Sequence, residues 1–548
     1  MIMKKILCLI SILFISNTTF SQLSVGGMPK TFINKNLSRF ISSTIEVSQP
    51  DLISIKEEDD LNDNTFKTRR FGVTIPVGID LFEKADFIQV DKGRLWVLKI
   101  KSENAQALIL YSNNFYIPIS GELFIYNSDY SQVIGAFTSL NNNESKTFAT
   151  ELVYGDEIIL EYFQPNEVNE KPFINITEIG YAYRDCEYDM TKYTDEYGAS
   201  GSCNVNVNCT EGNNYRNAQR GVVRLQVRFD QYNIGWCTGS LVNNTSRNLA
   251  PYILSAAHCI EGANPNYYSY YVFYFNYESP GCSTTSTEPT PKTLSGASVK
   301  AQGESSDFVL FLLNNNVPQN YNAYWNAWNV ATTPSQSGVA IHHPAGDIKK
   351  ISTYTSTLQD ASTHWKAQWV QTATNYGITE GGSSGCPLFN TSSQIVGTLT
   401  GGSSYCTAPI SDKNDYFGKL SYSWISNGTT NATRLKPWLD PINSGVTQFR
   451  GDDYTTYLSI DNIDDNNQSY SKIYPNPTKN EINISLLAQP HPTDIIIYDA
   501  LLREIFSQSI PSNTTNFSIS TNNLKSGYYI VKFNSLEKSW TNKLIISE

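Results

Sequence analysis

Apolar residues along this chain fall in short runs that either alternate with polar residues or lie between Gly, Pro, Asn and Asp, a period-two pattern that predicts strands far more often than helices. Over residues 22–197 such runs include Arg94-Leu-Trp-Val-Leu-Lys-Ile, Ala107-Leu-Ile-Leu-Tyr, Glu122-Leu-Phe-Ile-Tyr and Glu157-Ile-Ile-Leu-Glu-Tyr-Phe, and they predict a compact β-sandwich. A second series over 198–452 includes Gly221-Val-Val-Arg-Leu-Gln-Val, Tyr270-Tyr-Val-Phe-Tyr-Phe and Asp307-Phe-Val-Leu-Phe-Leu-Leu, and fits a double β-barrel. Near its end, Ala432-Thr-Arg-Leu-Lys-Pro-Trp-Leu is the place for a closing helix. Residues 453–471 are rich in Asp and Asn and read as a solvated linker. Strand signals return in 472–548, as in Asp494-Ile-Ile-Ile-Tyr and Gly527-Tyr-Tyr-Ile-Val-Lys-Phe. The fold class expected is all-β, in three folded parts.

Length and composition agree with that division. A chain of 548 residues exceeds what one hydrophobic core organises, and 34 Tyr and 9 Trp against only 17% charged residues favour strands. The net charge of −11, with Lys and Arg scattered, leaves no basic stripe and speaks against a nucleic-acid partner. Lys4 and Lys5 precede an apolar run from Ile6 to Ile15, and Thr19 and Ser21 suit cleavage before Gln22, so residues 1–21 read as a secretory signal. Loss of Cys8 with that signal leaves eight of nine cysteines, an even number suited to disulfides in an oxidising compartment. No CxxC pair or converging ligand set occurs, so neither a metal nor a cofactor is expected.

The chemistry concentrates in the second part. In Gly382-Ser383-Ser384-Gly385-Cys386-Pro387, glycines flank a serine as a tight turn requires if a hydroxyl is to be exposed and backbone N–H groups aimed at one point; Gly382 and Ser384 are the expected oxyanion donors. Leu254-Ser-Ala-Ala-His-Cys sets His258 after an apolar strand, and Ser305-Ser306-Asp307 opens the apolar run Phe308 to Leu313. The order His258, Asp307, Ser384 is that of the chymotrypsin constellation, which makes these the expected base, orienting acid and nucleophile. A folded stretch between a signal and a protease is expected to be a propeptide.

Across residues 198 to 450 the chain resembles the lysyl endopeptidase family of trypsin-fold serine proteases, in Cys203-Asn-Val-Asn-Val-Asn-Cys, Cys237-Thr-Gly-Ser-Leu-Val-Asn-Asn-Thr, Ser306-Asp-Phe, Ala340-Ile-His-His-Pro, Gly382-Ser-Ser-Gly, Thr400-Gly-Gly and Asp415-Tyr-Phe-Gly. The resemblance implies disulfides Cys203 with Cys406, Cys209 with Cys282 and Cys237 with Cys259, and a specificity carboxylate at Asp415. Trypsin's own acid lies six residues before its serine, where this chain has Ile378; Glu380 is the alternative acid. In the lysine-specific relatives a Trp and a His stack beside the pocket, whereas here Thr400, followed by Gly401, stands at the His position. Lys against Arg is therefore left open, with Lys implied by the resemblance, and Cys186 with Cys386 are either a fourth pair or two thiols. His342 and His343 are expected to be structural, and His364 has no partner visible in sequence. Ser383 stands where zymogens activated by a new N-terminus have Asp, so activation is expected to need removal or displacement of the N-terminal part, with a mature start near Gly198.

Ile473-Tyr-Pro-Asn-Pro, Gly527-Tyr-Tyr-Ile-Val-Lys and Lys543-Leu-Ile-Ile resemble the C-terminal sorting domain of Bacteroidetes type IX secretion substrates. That implies secretion or display at the cell surface after passage through the periplasm, with the type IX machinery, protein or peptide substrates and the chain's own propeptide as partners. The competing readings are a glutamyl-type or broad-specificity serine protease, which an acidic Asp415 pocket disfavours, and a non-catalytic surface binding protein.

Overall fold

The computed structural model describes residues 24–62, 68–184, 200–284, 288–454, 471–499, 503–536 and 539–547. The expected signal 1–21, Cys186, the expected mature start near Gly198 and most of the linker lie outside these residues.

The N-terminal part is a sandwich of two sheets. One carries Thr44–Glu46, Gly93–Lys101, Glu157–Pro165, Glu122–Asn127 and Val133–Phe137 in spatial order; the other carries Arg69–Asp80, Phe173–Ala182, Ala107–Tyr116 and Phe148–Ala149. Strand Gly93–Lys101 shows why its sequence reads as a nearly unbroken apolar run. Leu98 and Ile100 pack into the inter-sheet core, while Leu95 and Val97 on the opposite face enter a second, smaller core. At roughly 1.5–3 kcal/mol for each fully buried aliphatic side chain, two-sided burial outweighs any preference for alternation.

Residues 200–454 form two barrels. In the first, Val222–Arg228 pairs with Asn233–Leu241 and Val272–Phe275, Tyr252–Ser255 joins Asn233–Leu241 to Phe308–Leu313, and Ala297–Gly303 with Lys292–Ser295 closes the ring. In the second, Lys350–Tyr354, Gly338–His342, Pro387–Asn390, Gln394–Gly402, Asn414–Lys419 and His364–Gln368 follow one another. A bond of 3.0 Å from Val370 N to Thr353 O completes that circuit. Strand Phe308–Leu313 lies between the two cores: Phe308 and Leu310 face one cluster, Val309, Phe311 and Leu313 the other. This is the two-barrel arrangement that the resemblance implied.

A closing helix does stand in the stretch 432–439. It is a single turn, Lys436–Leu439, with Pro437 near its start, and Asp440, before Pro441, leaves the helical region at φ −124° and ψ 59°. Asp440 then accepts the N–H groups of Ser444 and Gly445, and the chain ends this part in two short strands, Gln448–Phe449 and Asp452–Asp453. Residues 471–547 form a separate sandwich of three strands against four around Ile482, Ile484, Ile495, Val531, Phe533 and Leu544.

The N-terminal sandwich and the first barrel share one sheet. Strand Arg69–Asp80 pairs antiparallel with Asn233–Leu241, matching Arg69 to Trp236 and Val73 to Asn233. Arg228 of the barrel, nearly inaccessible, forms a two-point ion pair with Glu178 of the sandwich at 2.6 and 3.1 Å, and Phe71 stacks on Trp236 with ring centroids 4.1 Å apart.

Candidate active site

Forty-nine residues separate His258 from Asp307, and sheet pairing brings them together. Tyr252–Ser255 runs antiparallel to Phe308–Leu313 with Ser255 opposite Val309, so the end of one strand lies beside the start of the other. His258 follows in a 3-10 turn, Ala257–Ile260, pinned by the Cys237–Cys259 disulfide. Asp307 sits in the left-handed region at φ 49°, a conformation Asp tolerates better than most residues, immediately before a strand anchored in both cores. Its carboxylate accepts two bonds from one residue: the His258 N–H at 2.9 Å and His258 Nδ1 at 2.8 Å. The second bond holds Nδ1 as the protonated nitrogen and turns Nε2 outward as the acceptor.

Ser384 lies on the turn that its flanking glycines make possible. Gly382 has φ 95°, and a Cβ there would meet Gly346 N at 2.8 Å and His343 O at 2.9 Å. Ser384 O accepts the Thr238 N–H at 2.8 Å, and Thr238 Oγ1 donates to Gly382 O at 2.9 Å, so both peptide units are tied to the strand that carries Cys237. Cys259 Sγ is 3.9 Å from Ser384 O, which places the Ser384 turn against the residue following His258. Among the described residues no carbonyl takes the N–H of Gly382 or Ser384, leaving both donors for an oxyanion. The Ser384 hydroxyl makes no hydrogen bond to His258, and His258 Nε2 is buried without a partner among the described residues. Such contacts are often long in a resting site and tighten when substrate is bound.

Ser383, beside Ser384, is fully buried and bonded to His342 Nδ1 at 2.8 Å, while His342 Nε2 meets Ser352 Oγ at 2.9 Å. Burial, aided by Lys350, pushes His342 down to about 3, so this ring stays neutral and acts as a spacer between two hydroxyls. His343 is likewise held low by burial and bonds Asp347 O at 2.8 Å.

Asp415 is 1% exposed. Its carboxylate takes Thr379 Oγ1 at 2.7 Å, Ser404 Oγ at 2.6 Å and the Trp369 indole N–H. Burial holds its carboxyl above the ordinary range despite these donors. Gly402 permits the arrangement, since a Cβ on it would fall 2.0 Å from Asp415 Oδ1. The neighbouring Glu380 points elsewhere: it accepts Gly201 N at 3.1 Å and Asn204 Nδ2 at 3.1 Å, while Thr379 alone of this pair reaches Asp415. Thr400 is half-buried and its hydroxyl meets His364 Nε2 at 3.0 Å; burial holds that imidazole below its ordinary value, opposed by the charge of Asp307. Sequence reasoning left His364, Trp369, Thr379 and Ser404 out of the site, and no local motif marks them. Strand Gln394–Gly402 is paired with Pro387–Asn390 only as far as Thr398, so at Thr400 and Gly401 that edge carries no strand among the described residues.

The structure joins Cys203 to Cys406, Cys209 to Cys282 and Cys237 to Cys259, the pairs the resemblance implies. Cys386 is a free, buried thiol whose ionisation is pushed up by burial, which keeps it inert. Among the described residues no three His, Cys, Asp or Glu side chains converge on a cation site.

Comparison with known proteins gives two family matches. Residues 197–418 match the lysyl endopeptidase, C-terminal domain family, and residues 472–547 match the secretion system C-terminal sorting domain, which marks the chain for export. A lysyl endopeptidase of Pseudomonas aeruginosa is 29% identical over 300 residues, covering 52% of this chain and 63% of the relative, so the chain spans somewhat less than two thirds of that relative's length. Among solved structures, a serine endoprotease from Yersinia pestis aligns at 13% identity and a TM-score of 0.28, covering 61% of this chain and 97% of that one. The HtrA-type protease AlgW with tripeptide aligns at 11% identity and a TM-score of 0.28, covering 56% and 97%.

Proposed function

We propose that this chain is an exported serine endopeptidase that cleaves after basic residues, Lys before Arg, with His258, Asp307 and Ser384 as its triad. The observation that carries the reading is the pair of hydrogen bonds from His258 to Asp307, set beside a glycine-flanked Ser384 whose turn leaves two N–H groups without a carbonyl partner among the described residues. In the reaction Ser384 Oγ attacks the scissile carbonyl as its proton passes to His258 Nε2. Asp307 stabilises the imidazolium without taking the proton. The carbonyl oxygen, now an oxyanion, is met by the N–H groups of Gly382 and Ser384. His258 returns its proton to the leaving amine, and water, deprotonated by the same ring, releases the acyl group from Ser384.

Asp415 supports the basic preference. A carboxylate buried this deeply lacks a cationic partner among its contacts, and a substrate Lys or Arg would supply one. The same charge repels an acidic side chain and so disfavours a glutamyl protease. The open edge at Thr400 and Gly401 suits a substrate added as a strand, which reads main chain and leaves choice to the pocket. Residues 22–197 act as the propeptide, and 472–548 address the chain to the type IX machinery. Labelling by a fluorophosphonate together with cleavage of a peptide library tests the reading. An unlabelled, inactive protein after removal of the N-terminal part would favour a binding protein instead.

A further inference from the structure

The strand that the N-terminal sandwich adds to the first barrel does not land on a neutral edge. Thr68 is buried and its hydroxyl donates to His258 O at 3.3 Å. Thr68 Cγ2 and Arg69 O also lie 2.7 Å from where a Cβ on Gly235 would stand, so the segment passes directly over the strand leading to Cys237. Arg69 pairs with Trp236 and Arg70 with Gly235. Side chains alternate across a strand, and here the two arginines part company. Arg70 turns back to its own sandwich, bonding Asp59 Oδ1 at 2.9 Å and Glu58 Oε2 at 2.9 Å. Arg69 turns toward the nucleophile's turn: its Cβ and Cδ lie 2.8 Å from the position a Cβ on Gly381 would take, one residue before the Gly382 oxyanion donor. Beside it, Glu380 is half-buried; burial raises its carboxyl above the ordinary value, opposed by the Gly201 N–H and by the charge of Arg69.

Resting on the proposed protease function, we infer that the edge Asn233–Trp236 with Glu380 is the binding site for the primed side of the substrate, that it selects a basic residue at the second position after the scissile bond, and that Thr68–Arg70 fills it in the unprocessed chain. The geometry supports each part. Antiparallel pairing to this edge is how an extended peptide adds to a sheet, and it supplies main-chain bonds that fix register. Thr68, against the carbonyl of His258, holds the first position past the scissile bond, so Arg69 holds the second. Gly381 leaves room for the arginine stem, and the adjacent Glu380 supplies the opposite charge. In the sequence the bond before Thr68 follows Lys67, a basic residue that suits the preference assigned to Asp415; Lys67 itself lies outside the described residues.

The test uses the processed enzyme as its host releases it, with peptides identical except for Arg, Ala or Glu at the second residue after a Lys scissile site. We expect kcat/KM for Arg to exceed that for Ala by about tenfold and Glu to be the poorest, as one partly screened ion pair implies. Glu380→Gln should bring the Arg to Ala ratio close to one, a change that a merely structural weakening of the turn would not produce. Equal rates for Arg and Ala in the wild-type enzyme would overturn the inference without any variant being needed. In the full-length chain, Arg69→Glu should raise the early rate of cleavage of a peptide that extends over the primed side, and an unchanged rate would equally count against it. Failure to cleave any peptide, with no fluorophosphonate labelling, would instead reject the protease assignment itself.

Discussion

Asp307 holds His258 by two atoms at once, the ring nitrogen Nδ1 at 2.8 Å and the backbone N–H at 2.9 Å. The carboxylate thus sets both the position of the residue and the tautomer of its ring. Asp307→Asn should keep the backbone bond but present an N–H to Nδ1. The ring would then carry its proton on Nε2, where it cannot accept one from Ser384. We expect turnover to fall by about 10⁴-fold with little change in the unfolding midpoint. Activity within tenfold of wild type would mean that Asp307 does not orient the base.

Ser384→Ala should lower turnover by about 10⁶-fold and abolish fluorophosphonate labelling, because the remaining members of a triad have nothing to activate. The fold should survive, since among the described residues no hydrogen bond depends on that hydroxyl and the turn is held through its backbone. Comparison of peptide hydrolysis with circular dichroism of the same preparation separates loss of chemistry from loss of structure.

Asp415→Asn should cost basic substrates about 10²- to 10⁴-fold in kcat/KM and spare a Leu substrate. The fold tolerates it: Trp369, Thr379 and Ser404 all donate to one carboxylate oxygen, Oδ2, so an Asn oxygen in that place keeps all three bonds. A pH signature accompanies this. Burial raises the Asp415 carboxyl above its ordinary value, so on acidification it is neutralised earlier than an exposed Asp. The Lys to Leu ratio of kcat/KM should therefore be full at neutral pH and fall as pH drops through that raised value; taking the ratio cancels the titration of the triad. In Asp415→Asn the ratio should be low and flat, and a ratio independent of pH in the wild type would remove Asp415 from specificity.

Opening the Cys237–Cys259 bridge as a double Ala variant should lower stability by about 3 kcal/mol from loop-closure entropy over its 22-residue separation. It should also reduce kcat more than it raises KM, because His258 and the Thr238 to Ser384 contact both hang on that link. Denaturant titration and steady-state kinetics of one preparation measure the two effects.

Deletion of residues 472–548 should leave an active, folded protease retained in the periplasm. This segment has its own core of Ile482, Ile484, Ile495, Val531 and Phe533 and matches a sorting domain. Fractionation of the native host with an activity assay in each fraction decides it. Normal release of the truncated chain would assign the segment another role.

The three candidates could be picked out in the sequence because each carries a local signature: Ser384 is Gly-flanked, His258 follows an apolar strand beside a cysteine, and Asp307 stands at the mouth of an apolar run. Strand content was equally plain in the alternation. The closing helix lies in the stretch expected to begin or kink one, and Pro437 and Pro441, at its two ends, limit it to one turn. His364 shows the opposite case. Its contact with Thr400, 36 residues away, depends on both strands pairing with Asn414–Lys419, and nothing in the neighbourhood of either residue records that.

The sequence by itself therefore determined which residue types stand in which local turns, and with them the all-β class and the choice of Ser384, His258 and Asp307 as candidates, because those depend on backbone freedom and periodicity over a few residues. Tertiary structure alone decided which face each acid presents. Thr379 and Glu380 are neighbours, yet the first bonds Asp415 while the second turns to Gly201 and Asn204. It also decided that Arg69, far from the barrels in sequence, lies over Gly381 beside the nucleophile's turn, whereas Arg70 does not. Strand register makes both choices: a slip of one residue would exchange the two arginines, and register is set by the packing of whole sheets rather than by any motif along the chain.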